Sequence, residues 1–176
     1  AGDFFVDCTG FRSLLLGKTL GTKFESYEKS LLCDTAIVGQ WNRSDAEIRP
    51  YTTCTTMNNG WCWRIDFHDL VTRGYVHSSA FCSVDEAMRE MKEKNPQLGD
   101  DLRVLKFPSG RYENFWVGNV AGIGNASGFV EPLEATALHM IVEQCNFLSL
   151  ALADSNLRIV PAMQAVENAR FRRLWD

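Results

Sequence analysis

The stretch Ala121-Gly122-Ile123-Gly124-Asn125-Ala126-Ser127-Gly128-Phe129-Val130-Glu131-Pro132-Leu133-Glu134-Ala135-Thr136-Ala137 decides the fold. It reads as a strand that ends in small residues and runs into a long helix beginning near Pro132. Proline suits a first helical turn, where its missing N–H would have no partner anyway. Leu138, Ile141, Val142, Cys145, Leu148 and Leu152 then recur at helical spacing as an apolar stripe. Small residues let a flat or phosphorylated ligand approach the backbone. A helix N-terminus offers unpaired N–H groups and the positive end of a dipole, which favours an anion. In the plainest reading, Glu131 and Glu134 are carboxylates that complement that dipole.

Upstream, Asp3–Asp7 reads as a short buried strand that meets the turn Cys8-Thr9-Gly10, and Phe11–Leu16 reads as the opening of a helix. The middle is rich in strand formers, over Leu31–Val38, Tyr51–Met57 and Gly74–Phe81. Asn58-Asn59-Gly60 is a hairpin signal, and Trp61-Cys62-Trp63-Arg64-Ile65 is the returning strand. Period two puts Trp61, Trp63 and Ile65 on one face, as an aromatic wall or as ordinary core. Ser83-Val84-Asp85-Glu86 is a capping box that opens a mostly polar surface helix through about Lys94. Leu102–Phe107 and Tyr112–Val117 read as a strand pair around Pro108-Ser109-Gly110, and a last helix spans Pro161 to about Leu174. The fold class is therefore mixed α/β.

The 176 residues and a net charge of −4 fit about one globular domain, and a pI near 5.4 disfavours a nucleic-acid backbone binder. No apolar run is long enough for a membrane helix. The six cysteines (8, 33, 54, 62, 82 and 145) include no Cys-x-x-Cys, and most lie in apolar or strand-like contexts. They predict buried, reduced thiols in a cytoplasmic protein. No pair among His68, His77 and His139 has metal spacing.

Three segments, taken together and in this order, resemble the flavin-dependent tryptophan halogenase family. They are D-C-T-G-F-R-S-L-L at 7–15, G-W-C-W-R-I at 60–65, and W-V-G-N-V-A-G-I-G-N-A at 116–126 continued by G-F-V-E-P-L-E-A-T at 128–136. The resemblance covers nearly the whole chain. It implies a segment of an FAD-binding, flavin monooxygenase-like fold, with residues 1–16 and 117–153 on the flavin side and 31–116 forming a substrate-side sheet. It also implies chemistry in which reduced FAD and O2 form a flavin hydroperoxide, chloride or bromide attacks it, and hypohalous acid reaches an electron-rich aromatic such as tryptophan, an indole or a phenol. The family's catalytic glutamate corresponds to Glu134, its halide-binding amides to Thr136 and Ala137, and its flavin contacts to Gly124, Asn125 and Leu138. Trp61 and Trp63 correspond to the motif that keeps substrate away from the flavin. A separate flavin reductase and a homodimer are the partners it implies.

Two positions depart from the family pattern, Asp66 in place of a proline and Ala137 in place of a small residue or glycine. No G-x-G-x-x-G stands at a strand–helix junction, since Gly122, Gly124 and Gly128 have the wrong spacing. That motif and the family's catalytic lysine are expected upstream of Ala1-Gly2-Asp3, a start that reads as a cut. The segment alone is accordingly expected to be inactive and a weak flavin binder. Two other readings stay open. One is an aromatic hydroxylase, which product analysis with and without halide would separate. The other is a non-catalytic remnant of the fold.

Overall fold

Strand-forming runs bounded by turn residues dominate the chain, and three longer amphipathic runs become helices. The structure, a computed structural model, describes residues 2–44, 47–130 and 132–176, the side chain of Glu134 excepted. Its strands are β1 (Phe5–Asp7), β2 (Phe24–Ser26), β3 (Thr35–Asn42), β4 (Thr53–Met57), β5 (Gly60–Asp66), β6 (Leu70–His77), β7 (Arg103–Lys106), β8 (Gly110–Tyr112), β9 (Trp116–Val117), β10 (Val120–Gly122) and β11 (Gly128–Phe129). The α-helices are α1 (Val84–Lys94), α2 (Thr136–Asp154) and α3 (Pro161–Trp175). The chain divides into two compact units. One joins the residues up to Tyr27 with Pro108–Asp176, and the other is Glu28–Phe107.

The Glu28–Phe107 unit is a five-stranded antiparallel sheet in the order β4-β5-β6-β3-β7, with α1 on one face. Ile37, Cys62 and Tyr75 from the sheet pack against Ala87 and Met91 of α1, all fully buried. A buried side chain of that size contributes about 1.5–3 kcal/mol. The capping box is present: Ser83 Oγ accepts the Glu86 N–H and the Glu86 carboxylate accepts the Ser83 N–H. The strands at 31–38 and 74–81 were expected several residues out of place; β3 starts at Thr35 and β6 ends at His77.

In the other unit β1 pairs in parallel with β10, which pairs with β9, while β2 and β11 flank β8. Helices α2 and α3 bury Met140, Leu148, Ala151 and Phe171 against Phe115 and Trp116. Asn168 of α3 clamps β9: its Oδ1 accepts the Trp116 N–H at 3.0 Å and its Nδ2 donates to the Trp116 carbonyl at 2.7 Å. Arg111, 3% exposed, forms ion pairs with Glu25 and Asp176.

Four expectations are corrected here. The segments flanking Pro108-Ser109-Gly110 do not pair with each other, because β7 completes the sheet beside β3 and β8 takes β2 and β11 as partners. Phe11–Leu16 opens no α-helix; a 3-10 turn at Gly10–Arg12 leads into a π-helical turn at Leu14–Thr19. The helix expected from Pro132 begins at Thr136, after a 3-10 turn at Pro132–Glu134. Its inward face is Met140, Gln144, Leu148 and Ala151, whereas Leu138, Val142 and Cys145 are exposed.

Candidate functional site

Strand β10 ends at Gly122, and the chain makes a 3-10 turn over Gly124–Ala126. Gly124 has φ +62°, a left-handed conformation that glycine adopts without cost. Gly122 allows close approach, since a Cβ there would stand 2.6 Å from Leu16 Cδ2. Asn125 sits half-buried in this turn. Gln144, fully buried on α2, holds the turn from below. Its Oε1 accepts the Gly124 N–H at 3.1 Å, and its Nε2 donates to the Gly122 carbonyl at 3.2 Å and to Ser127 Oγ at 2.7 Å. Ser127 Oγ in turn donates to the Gly124 carbonyl at 2.9 Å. Sequence reasoning passed over Gln144 because a polar residue interrupts an apolar stripe. A polar side chain at a core position of a helix was the available signal, because such a group must find partners.

Helix α2 opens on Ala135, which is left-handed at φ +54° and provides no side-chain cap. The Thr136 and Ala137 N–H groups precede the first bond of the helix, in which the Leu138 N–H donates to the Ala135 carbonyl at 3.0 Å. A helix start of this kind favours an anion. Thr136 and Ala137 are half-buried, and Leu138 is 67% exposed. Glu134 closes the preceding 3-10 turn, and its side chain lies outside the described residues, as does the whole of Glu131.

The 7–15 segment is an internal brace. Asp7 is fully buried. Its Oδ1 accepts the N–H and hydroxyl of Thr9 at 3.0 and 2.6 Å, and its Oδ2 accepts the N–H groups of Leu15 and Leu16 at 2.7 and 2.9 Å. Burial alone would raise its pKa, but these donors outweigh burial and hold it below the usual carboxylate value. Two of those acceptances draw the chain into the π-helical turn. Ser13 Oγ ties the same turn to the Ala126 carbonyl at 2.7 Å. Asp7 and Ser13 therefore fix the flank of the Gly124 turn.

In the other unit, Trp61 and Trp63 lie side by side on β5, with ring centroids 6.0 Å apart and planes tilted by 55°. Register puts them with Ala36, Val76, Val38 and Gly74 on the sheet face opposite α1. Trp63 covers Gly74 closely enough that a Cβ there would stand 1.8 Å from Trp63 Cζ2. Asp66, the departure from the family pattern, accepts a 2.7 Å ion-paired hydrogen bond from Arg64 Nε.

All six cysteines are free thiols, but only Cys62 and Cys82 are buried; Cys8, Cys54 and Cys145 are exposed. Cys8 follows β1, Cys54 lies on the edge strand β4, and Cys145 lies on the outward face of α2. Among the described residues no cluster of His, Cys, Asp and Glu could hold a metal ion, and no helix is long and apolar enough to cross a membrane.

The tryptophan halogenase family model matches residues 1–176. The chain is 40% identical over 150 residues to tryptophan 6-halogenase SttH of Streptomyces toxytricini, covering 81% of this chain and 29% of that protein. It is 35% identical over 179 residues to tryptophan 7-halogenase RebH of Lentzea aerocolonigenes, covering 99% and 33%. Among solved structures it resembles MibH, a lathipeptide tryptophan 5-halogenase, with a TM-score of 0.90 and 43% identity over 99% of this chain and 33% of that one. BrvH, a flavin-dependent halogenase from Brevundimonas sp. BAL3, gives a TM-score of 0.88 at 32% identity over 98% and 35%. The chain spans about a third of the length of these relatives. The mixed α/β architecture is thus that of flavin-dependent halogenases, and with every residue inside the family match this chain belongs to the tryptophan halogenase family.

Proposed function

We propose that this chain carries the halide-holding and flavin-contacting elements of an FADH2-dependent halogenase that installs chloride or bromide on an electron-rich aromatic, whether tryptophan, an indole or a phenol. The observation that carries the reading is the start of α2. A left-handed entry at Ala135 without a side-chain cap leaves the Thr136 and Ala137 N–H groups available to an anion, and Gln144 fastens the same helix to the Gly124 turn. A small-residue turn beside a helix N-terminus fits a flavin edge next to a halide.

When bound, reduced FAD with O2 supplies the oxidation of the halide. The amides of Thr136 and Ala137 hold the anion. Gly124, Asn125 and Leu138 form the flavin contact, and the exposure of Leu138 suits that role. Glu134 orients the electrophilic halogen species and accepts the proton released from the ring. Trp61 and Trp63 form an aromatic wall that keeps the aromatic substrate from the flavin. A separate reductase delivers reduced FAD, the enzyme works in the cytoplasm, and two copies associate as a homodimer.

The test is Glu134→Gln in the full-length enzyme, supplied with reduced FAD, bromide and an indole. Halogenated product is expected to fall by at least about a hundredfold, as for loss of a general acid–base group, while flavin reoxidation continues. Unchanged halogenation would overturn the assignment.

A further inference from the structure

The turn that precedes Trp61 is held from inside the protein. Asn58 and Asn59 are exposed and form the two-residue loop between β4 and β5, where water could serve both amides. Instead, Glu90 Oε1 accepts the Asn58 N–H at 2.9 Å, and Tyr75 Oη accepts the Asn59 N–H at 3.1 Å. Tyr75 Oη then donates to Glu90 Oε2 at 2.8 Å. Tyr75 is fully buried and Glu90 is 9% exposed. Lys94 Nζ, one helical turn along α1, pairs with Glu90 Oε1 at 2.9 Å.

A carboxylate sunk beneath a solvent-facing turn costs free energy that bulk water would have spared. Buried networks of this kind hold one arrangement where several would otherwise compete. The arrangement held here is the entry into β5. Tyr75 is also the cross-strand partner of Cys62, the residue between the two tryptophans. The network therefore grips β5 at its first turn and again at its centre.

We infer that Glu90, acting with Tyr75, is a positioning residue for the tandem tryptophans and so fixes which edge of the aromatic substrate meets the electrophile. The second half of that statement rests on the halogenase reading above; the first half stands on the hydrogen bonds alone.

The experiment compares wild type with Glu90→Gln and Tyr75→Phe in the full chain. Hydrogen exchange is measured by peptide, and fluorotryptophan labelling is read by fluorine NMR. A glutamine has one oxygen for the three donors from Asn58, Tyr75 and Lys94, and its amide nitrogen cannot accept. Exchange over the 57–63 peptide is expected to rise about tenfold, the factor for one lost hydrogen bond, with β3 unchanged and the Trp61 and Trp63 resonances broadened or shifted. In the full-length enzyme fed an indole and bromide, the regioisomer ratio is expected to shift at least twofold, with KM raised more than kcat is lowered.

Uniform acceleration across the whole sheet would assign Glu90 to stability alone and overturn the inference. Unchanged exchange with unmoved tryptophan resonances would overturn it as well. Local loosening with an unchanged regioisomer ratio would remove the specificity role. A wild-type enzyme that makes no halogenated product would instead defeat the halogenase reading, with the exchange and resonance data still deciding whether Glu90 positions β5.

Discussion

Trp63 rests directly on Gly74, its cross-strand neighbour on β6, with the indole where a side chain would otherwise begin. The absence of a Cβ at Gly74 lets a large ring lie flat on the sheet. Gly74→Ala is therefore expected to push Trp63 off its seat and destabilise the Glu28–Phe107 unit by about 1–3 kcal/mol, the usual cost of overpacking. Urea unfolding followed by tryptophan fluorescence measures both effects. A variant as stable as wild type, with an unchanged emission maximum, would mean that the ring can move without consequence.

Gln144 makes three hydrogen bonds to the Gly122–Ser127 segment from a fully buried position. Gln144→Leu keeps the volume but strands a backbone N–H and a carbonyl, while the Ser127 hydroxyl keeps its bond to the Gly124 carbonyl. Each such orphan costs about 1–3 kcal/mol, less whatever water can recover. The expected result is a loss of about 2–5 kcal/mol, with flavin binding by the full-length enzyme weakened several-fold. Thermal melts and a flavin titration test this, and a neutral substitution would deny Gln144 any part in shaping the turn.

Asp7 gives a pH-dependent version of the same argument. Its folded-state pKa lies below the ordinary value of 3.8. The resulting stabilisation is fully present above that ordinary value and drains away as pH falls through the folded one. Asp7→Asn is expected to cost about 2–4 kcal/mol at neutral pH, because an amide oxygen cannot accept from all four donors. The gap between the two proteins should narrow steadily below about pH 4. A gap that stays constant down to pH 2 would show that the carboxylate's charge is not what holds the turn.

Local signals in the sequence were readable wherever a few adjacent residues set the structure. Ser83 and Glu86 specify the start of α1 between themselves, and Asn58-Asn59-Gly60 specifies the hairpin. Long-range partners were not readable. Nothing in Leu14-Leu15-Leu16 tells that an aspartate several residues earlier will take two of its amides and widen the turn. Nothing near Pro108 tells that β7 will prefer β3 to the segment just after it. The stripe on α2 was rotated because apolar periodicity discards a glutamine, and Gln144 is what faces inward. At the candidate site, composition alone allowed an anion-favouring helix start. The particular roles of Glu134, Thr136, Ala137, Trp61 and Trp63 came only with the family resemblance.

The parallel pairing of Phe5 with Val120 has a consequence for how the molecule is made. The Glu28–Phe107 unit is contiguous, so its hairpins close between near neighbours in the chain. The unit that joins the residues up to Tyr27 with Pro108–Asp176 must wait for a loop of the whole intervening unit to close. Loop closure and non-local pairing are slow steps. In pulse-labelled refolding the amides of β5 and β6 should gain protection before those of β1 and β10. Simultaneous protection would mean that the two units fold as one. On the ribosome, β1 emerges first and finds its partner late. Until β10 arrives, the backbone N–H and C=O groups of β1 stay unpaired, an open strand edge of the kind that chaperones guard.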